Sequence, residues 1–297
     1  MSQESIKKYI DVLPQKNIIL QKDAGYNKAH KIRVLTCNLR GAFSFDGTNA
    51  WENRCHFCLE EIKRINPDLI ASQEMVQDNF NFLVPNLQDY RILYTLDQVQ
   101  GGRPMNTIMY RKERFKLLSS GAYFLSVTPH VIGSKSWDSR HRRLVNWAQL
   151  EDTLTGKVLF FMNTHLDNIG QEARENSARM ICESAKACDA YPQILAGDMN
   201  CTYQNPTIQY LLGHGWTDTY AVATGIKNEK FTYHAFLGDK YQPETDELKN
   251  KIDWIFTRGN FRAIESSIVR NKNDLGHYPS DHYFVYADIV DKTTTER

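Results

Sequence analysis

Residues Gln193–Asn200, "QILAGDMN", decide how this chain is read. The first half is apolar and reads as a buried strand. It then runs into a Gly, an Asp, a Met and an Asn. Side chains alternate along an extended chain, so Asp198 and Asn200 are expected to point the same way. A carboxylate and an amide at a strand's end suit an ordinary turn, or a catalytic or metal site held by a rigid sheet. The rest of the chain has to choose between the two.

Working outward, "IRVLTCN" (Ile32–Asn38) and "DLIASQE" (Asp68–Glu74) read as strands, with a helix between them. In that helix Cys58, Ile62 and Ile65 recur at helical spacing, and Pro67 ends the run. "NTIMYR" is a short strand, and "FKLLSSGAYFLS" suggests another with a turn. "NWAQLED" and "KVLFFMNTHL" flank Thr155-Gly156 as a hairpin. "EARENSARMICESAKACD" is a long helix with Ala178, Ile181, Cys182 and Ala185 on one face, and "KIDWIFTR" and "HYFVYADIV" are late strands. The mixture of βα alternation and hairpins predicts an α/β (α+β) domain of two packed sheets flanked by helices. Residues 1–30 read as a polar extension and 31–292 as one domain, since no Pro/Gly/Ser-rich linker or internal repeat divides them.

Composition narrows the function classes. A chain of 297 residues, 41% hydrophobic and 24% charged, has a globular composition and can build a large core. A formal charge of +1 argues against a surface that binds long nucleic acid everywhere, so phosphate recognition must be local. No apolar run approaches the ~20 residues of a membrane helix, and the N-terminus lacks a signal-type apolar region. The chain therefore reads as cytoplasmic, and a monomer is expected. Six cysteines are too sparse for a disulfide framework. Cys55 and Cys58 form C-x-x-C, but on a helix and without a second ligand pair they read as buried thiols.

Polar groups of one small set gather at strand ends. They are Asn38, Glu74, Asn163 with His165, Asp198 with Asn200, Asp253, and Asp281 with His282. Each alone suits a cap or turn. Together, at positions next to a core, they need partners, and they satisfy one another if they converge.

The ordered set Asn38, "SQE", "NTHL", "GDMN", "IDWIF" and "SDH" resembles the endonuclease/exonuclease/phosphatase superfamily, the DNase I-like phosphoesterases, from about Ile32 to Val290. "CNLRGAF", "GSKSWD", "NTHLDNIGQEARENSA" and "YPSDH" further resemble one largely uncharacterised branch. The resemblance implies a four-layer sandwich of two mostly antiparallel sheets with helices outside. It implies hydrolysis of phosphoesters by activated water with Mg²⁺ or Mn²⁺, a hard cation that suits carboxylate oxygens. Carried over residue by residue, it makes Glu74 the principal metal ligand with Asn38 beside it, and Asp281 a further metal-site carboxylate. Asp198 orients or deprotonates water, and Asn200 holds that water or the phosphate. His282 stabilises the phosphoryl oxygen, Asp253 fixes its other ring nitrogen, and His165 is a second phosphate-contacting histidine.

Two positions depart from the pattern. Leu39 and Arg40 stand where several nuclease branches carry an additional acid, and Arg103 occupies "GGRPMNTIMY", which leaves the number of metal ions open. For substrate binding, "DSRHRR" (Asp138–Arg143) reads as a solvated loop or as a phosphate contact through Arg143. Arg40, His234, and Arg174 near a helix start are further candidates. Phe43, Phe45 and Trp51 either stack on a base or cover the core edge. The substrates that fit are DNA or RNA, nucleotides, or small phosphorylated metabolites. A phosphate-binding scaffold without catalysis is the alternative.

Overall fold

The computed structural model describes residues 30–42, 45–245 and 248–292. The expected N-terminal extension falls outside them, apart from His30.

Twelve strands form two six-stranded sheets. The first contains β1 (Ile32–Asn38), β2 (Leu69–Gln73), β3 (Tyr90–Tyr94), β4 (Thr107–Arg111), β11 (Phe261–Val269) and β12 (Phe284–Asp291), in the order β11-β12-β1-β2-β4-β3. The second contains β5 (Phe115–Phe124), β6 (Leu144–Asp152), β7 (Lys157–His165), β8 (Gln193–Asp198), β9 (Thr217–Asp218) and β10 (Asp253–Arg258), in the order β5-β6-β7-β8-β10-β9. Each sheet has one parallel pair, β1 with β2 and β7 with β8. Both parallel pairs are joined by a helix, α1 (Trp51–Ile65) and α3 (Gln171–Ala187) respectively, as a parallel crossover requires. The segment over Phe115–Phe124 is one strand with an irregularity between Leu117 and Ser119, where the sequence suggested a turn. A bulge keeps both halves paired with β6.

Three apolar layers hold the sandwich together. Ile32 and Val34 of β1 face Ile194 and Ala196 of β8 and Ile255 of β10 between the sheets. Leu35 and Cys37 turn the other way and pack on Cys55, Cys58, Leu59 and Ile62 of α1, beside α2 (Gln77–Asn86). Leu195 and Trp254 pack under α3 and α4 (Pro206–Gly213). With apolar side chains on both faces, such strands read as nearly continuous hydrophobic runs. Burial keeps Cys58 a thiol, its pKa pushed up to about 12. Trp51 begins α1 and is buried edge-on against Phe82, so it belongs to the core edge. Phe45 is exposed, and Phe43 lies outside the described residues.

Gly197 explains part of the opening stretch. A Cβ there would lie 1.9 Å from the Thr164 carbonyl oxygen. Only glycine lets β8 approach β7 this closely while its backbone takes φ +154°. The start of α3 is secured from a distance, because Asp138 accepts from the Glu172 and Ala173 amides. Among the described residues no helix is long and apolar enough to cross a membrane.

Candidate active site

Period-two alternation carries the apolar inter-sheet face of the central strands β1 and β8 into a polar end. On β1 the face of Ile32 and Val34 ends in Asn38, and on β8 the face of Ile194 and Ala196 ends in Asp198. Strand register sets Asp198 beside His165 of β7 and beside Asp253 of β10. Glu74 follows β2 directly, and Asp281 and His282 lie just before β12. Six strands of two sheets thus deliver their polar groups to one end of the sandwich.

Asn38 joins the two sheets. Its Nδ2 donates to Glu74 Oε1 and to Asp198 Oδ2, each at 3.0 Å, while its Oδ1 accepts from the Arg40 amide. Arg40, Glu74 and Asn200 all have φ near +50°, at 49°, 57° and 49°. Such conformations cost non-glycine residues on the order of 1–3 kcal/mol and concentrate at functional sites. Asn200 does not reach the site by strand alternation, because β8 ends at Asp198. Its backbone turns left-handed, its amide donates to Asp198 Oδ1 at 2.9 Å, and its side chain meets the Leu166 carbonyl and His165 Nε2.

The two histidines differ electrically. His282 Nδ1 lies 2.9 Å from Asp253 Oδ2. Burial alone would favour a neutral ring, but Asp253, with Asp198 and Asp281 nearby, raises it to about 10, which favours the charged form. His165 is driven well below its ordinary value, first by burial and then by the charges of Arg143 and His282. Asp198 and Asp281 are both raised, chiefly by burial. The Asp253 charge adds to the effect on Asp198, and Glu74 to that on Asp281.

The raised carboxyls of Asp198 and Asp281 bear on a metal. Glu74, Asp198 and Asp281, together with Asp97, line one cleft of about 980 Å³. The nearest cationic group to Asp281 apart from His282 is Arg40, at 3.8 Å. Hard oxygen ligands suit a divalent cation, and the carboxylates of Glu74 and Asp281, both on the cleft wall, fit that use. Asp198, Asp253 and His282 also offer ligand atoms within 4.8 Å of one another. There, however, Nδ1 of His282 is already bound to Asp253. That trio is an Asp253–His282 pair with Asp198 close by.

The substrate-binding candidates divide. Arg143 lines the cleft, with its Nε 3.7 Å from Asp167, and Arg40 lines it while bound to Asp46. Arg174 does not reach the cleft. It is buried along α3 and donates to the Asp167 carbonyl and to Gln171. His234 is likewise absent from the cleft wall. It is fully buried, stacked on Tyr283, and held neutral by burial at about 3. Proximity to a helix start and to a cleft loop misled the reading of both. Asn163 is a strut between the sheets, donating to the Ser72 and Thr107 carbonyls and accepting from Gln73.

Two positioning residues carried no assignment from sequence. Asp167 accepts from the Ile169 and Gly170 amides with one oxygen, and from the His141 amide and Ser139 hydroxyl with the other. Despite burial, these bonds hold its carboxyl well below the usual range. It thereby clamps the Arg143 loop to the His165 loop, and its place two residues after His165 in "NTHLDN" was the available signal. Arg54 of α1 is the second. It donates to the Leu39, Arg40, Asn49 and Pro279 carbonyls, tying the loop after Asn38 to the loop before Asp281.

Comparison with known proteins identifies the family and the fold. Residues 35–282 match the model of the endonuclease/exonuclease/phosphatase family. A Bacteroides vulgatus endonuclease/exonuclease/phosphatase superposes with a TM-score of 0.78 at 27% identity, over 88% of this chain and 99% of that one. The Bacteroides thetaiotaomicron mannosyl-6-phosphatase gives 0.76 at 24% identity, over 87% and 99%, a likeness of fold. An uncharacterized Acanthamoeba polyphaga mimivirus protein is 21% identical over 88% of this chain, which spans 45% of that relative's length.

Proposed function

The chain belongs to the endonuclease/exonuclease/phosphatase family, whose members hydrolyse phosphoester bonds, and on that premise we propose that it is a divalent-metal-dependent phosphoesterase acting through activated water. The observation that carries this reading is the joining of Glu74 and Asp198 through Asn38, opposite the His282–Asp253 pair.

The reaction moves negative charge onto phosphoryl oxygens, so positioning and electrostatic stabilisation are the protein's main tasks. Asp198 orients an attacking water and takes its proton. Burial raises its proton affinity, and general bases work best with a pKa near the operating pH. Asn200, fixed to Leu166 and next to His165, positions the water or the ester. His282, charged and held by Asp253, donates to the phosphoryl oxygen where charge accumulates. His165 is neutral and offers a hydrogen bond without adding charge. Arg143 faces the same oxygens from the opposite loop. Glu74 and Asp281, with Asn38 adjacent, would hold Mg²⁺ or Mn²⁺, which when bound supplies Lewis-acid stabilisation of the phosphate. Arg40 beside Asp281 replaces an acid with a cation and favours one dominant metal ion.

The formal charge of +1 favours a small phosphoester over a long polynucleotide, whose affinity rests on neutralising many phosphates. The test is hydrolysis of bis-p-nitrophenyl phosphate, p-nitrophenyl phosphate, short DNA and RNA, nucleotides and sugar phosphates, with Mg²⁺, with Mn²⁺ and with EDTA. Turnover that needs the cation supports the assignment. Inactivity of the folded protein on the whole panel would instead favour a phosphate-binding scaffold.

A further inference from the structure

One wall of the cleft carries more positive charge than a single phosphoryl group requires. Lys135, Arg140 and Arg142 line the same cleft as Glu74 and Asp198, as does Arg103. Lys135, Arg140 and Arg142 are exposed, and none pairs with a carboxylate among the described residues. Lys135 Nζ instead donates to the Arg140 carbonyl, and Arg142 Nε to the Gly133 carbonyl. The acid on this wall, Asp97, is already occupied, accepting from the Arg103 amide at 2.8 Å and its guanidinium at 3.4 Å.

The wall has a fixed base and free tips. Asp167 holds the His141 amide and the Ser139 hydroxyl, so the chain carrying Arg140 and Arg142 is anchored beside the reacting centre. The loop of Asp97 and Arg103 meets it at Gly133, whose added Cβ would lie 3.5 Å from Arg142 Nε and 3.6 Å from the Asp97 carbonyl. Arg143, at one end of the run, is buried and lines the same cleft as Asp198 and Glu74. The exposed Lys135, Arg140 and Arg142 share that cleft with it. Like charges gathered in a concave site repel until an anion enters, and they focus field on that anion.

We propose that Lys135, Arg140 and Arg142 form a second anion subsite, so that the preferred substrate carries another phosphate besides the one hydrolysed. This rests on the phosphoesterase reading for what happens at the first phosphate, but the binding itself does not depend on catalysis. Guanidinium groups suit phosphate because they donate in a planar fork. The second phosphate can belong to a small bisphosphate or to the neighbouring link of a short nucleic acid strand.

Two probe pairs separate these sources. Calorimetric binding of fructose 1,6-bisphosphate is compared with fructose 6-phosphate, and that of a thymidine tetranucleotide with the dinucleotide. The comparison is made in wild type and in the Lys135→Ala/Arg140→Ala/Arg142→Ala variant. The expected result is at least a roughly tenfold preference for the more phosphorylated member of one pair, the scale of one charge-assisted contact, and loss of that preference in the variant. The pair that shows it names the source. Equal affinity within both pairs in wild type, or a preference that survives in the variant, overturns the subsite. Hydrolysis of the same probes is read separately. A binding preference without metal-dependent turnover leaves the subsite standing and removes the phosphoesterase reading.

Discussion

Asn38 donates through one amide nitrogen to Asp198 across the seam between the two sheets, at 3.0 Å, while donating equally to Glu74 in its own sheet. The separation of the two carboxylates is therefore set by a third residue at the end of a central strand. Asn38→Ala removes that tie and leaves both carboxylates without their shared donor. The expected outcome is a loss of kcat on the order of 10²-fold, the scale at which small misplacement of reacting groups is felt. Steady-state kinetics alongside far-UV circular dichroism checks it, and unchanged turnover would mean that the tie is dispensable.

The 2.9 Å bond from Asp253 to His282 fixes the ring and supports its positive charge. Asp253→Asn keeps the shape but not the charge. It should lower kcat/KM by roughly 10²- to 10⁴-fold with the fold retained, the range of general acid–base contributions. An activity within twofold of wild type would show that the pair is only structural.

Arg54 connects the two loops that carry the site without touching the cleft. Its four carbonyl acceptors lie 2.5–2.9 Å away. Arg54→Met should destabilise the protein by about 3 kcal/mol, since buried acceptors are left unpaired, and should lower kcat at temperatures where the fold persists. Arg54→Lys should not rescue it, because a single ammonium cannot reach the four carbonyls together. Urea unfolding and kinetics on both variants decide the matter.

The far end of the sandwich sets a pH dependence of stability. Asp288 of β12 is buried and holds Arg33 through bonds of 2.6 and 2.7 Å and Lys31 at 2.5 Å. Burial would raise its carboxyl, but these cations more than reverse that and lower it. Its stabilisation is present above the unfolded value of about 3.9 and is lost as pH falls through the lower folded value. Asp288→Asn should therefore cost about 2 kcal/mol at pH 7 and flatten the acid limb of urea midpoints measured between pH 7 and pH 3. Parallel acid limbs for the two proteins would remove Asp288 from this role.

The central strands and most of the candidate site were legible because apolar runs carry a polar residue at, or just beyond, one end. Asn38, Glu74, His165, Asp198, Asp253, Asp281 and His282 all came from that pattern, and the structure brings them to one end of the sandwich. What sequence could not give was the direction of side chains in irregular segments. Arg174 and His234 sit near cleft loops in the chain but turn into the core, and Asn200 faces the site through a left-handed turn. Asp167 and Arg54 act on backbone groups, and such contacts leave no pattern in one sequence. The basic run Arg140–Arg143 was visible, but not that a distant carboxylate clamps it beside the reacting centre.

The most direct test of the account is turnover of the best panel substrate by Glu74→Gln, compared with wild type in saturating Mg²⁺ or Mn²⁺. The substitution keeps the shape of Glu74 while removing its charge, so the predicted result is a folded protein whose metal-dependent activity falls to the level that wild type shows in EDTA. Wild-type turnover by Glu74→Gln, still abolished by EDTA, would place the metal elsewhere and contradict the site.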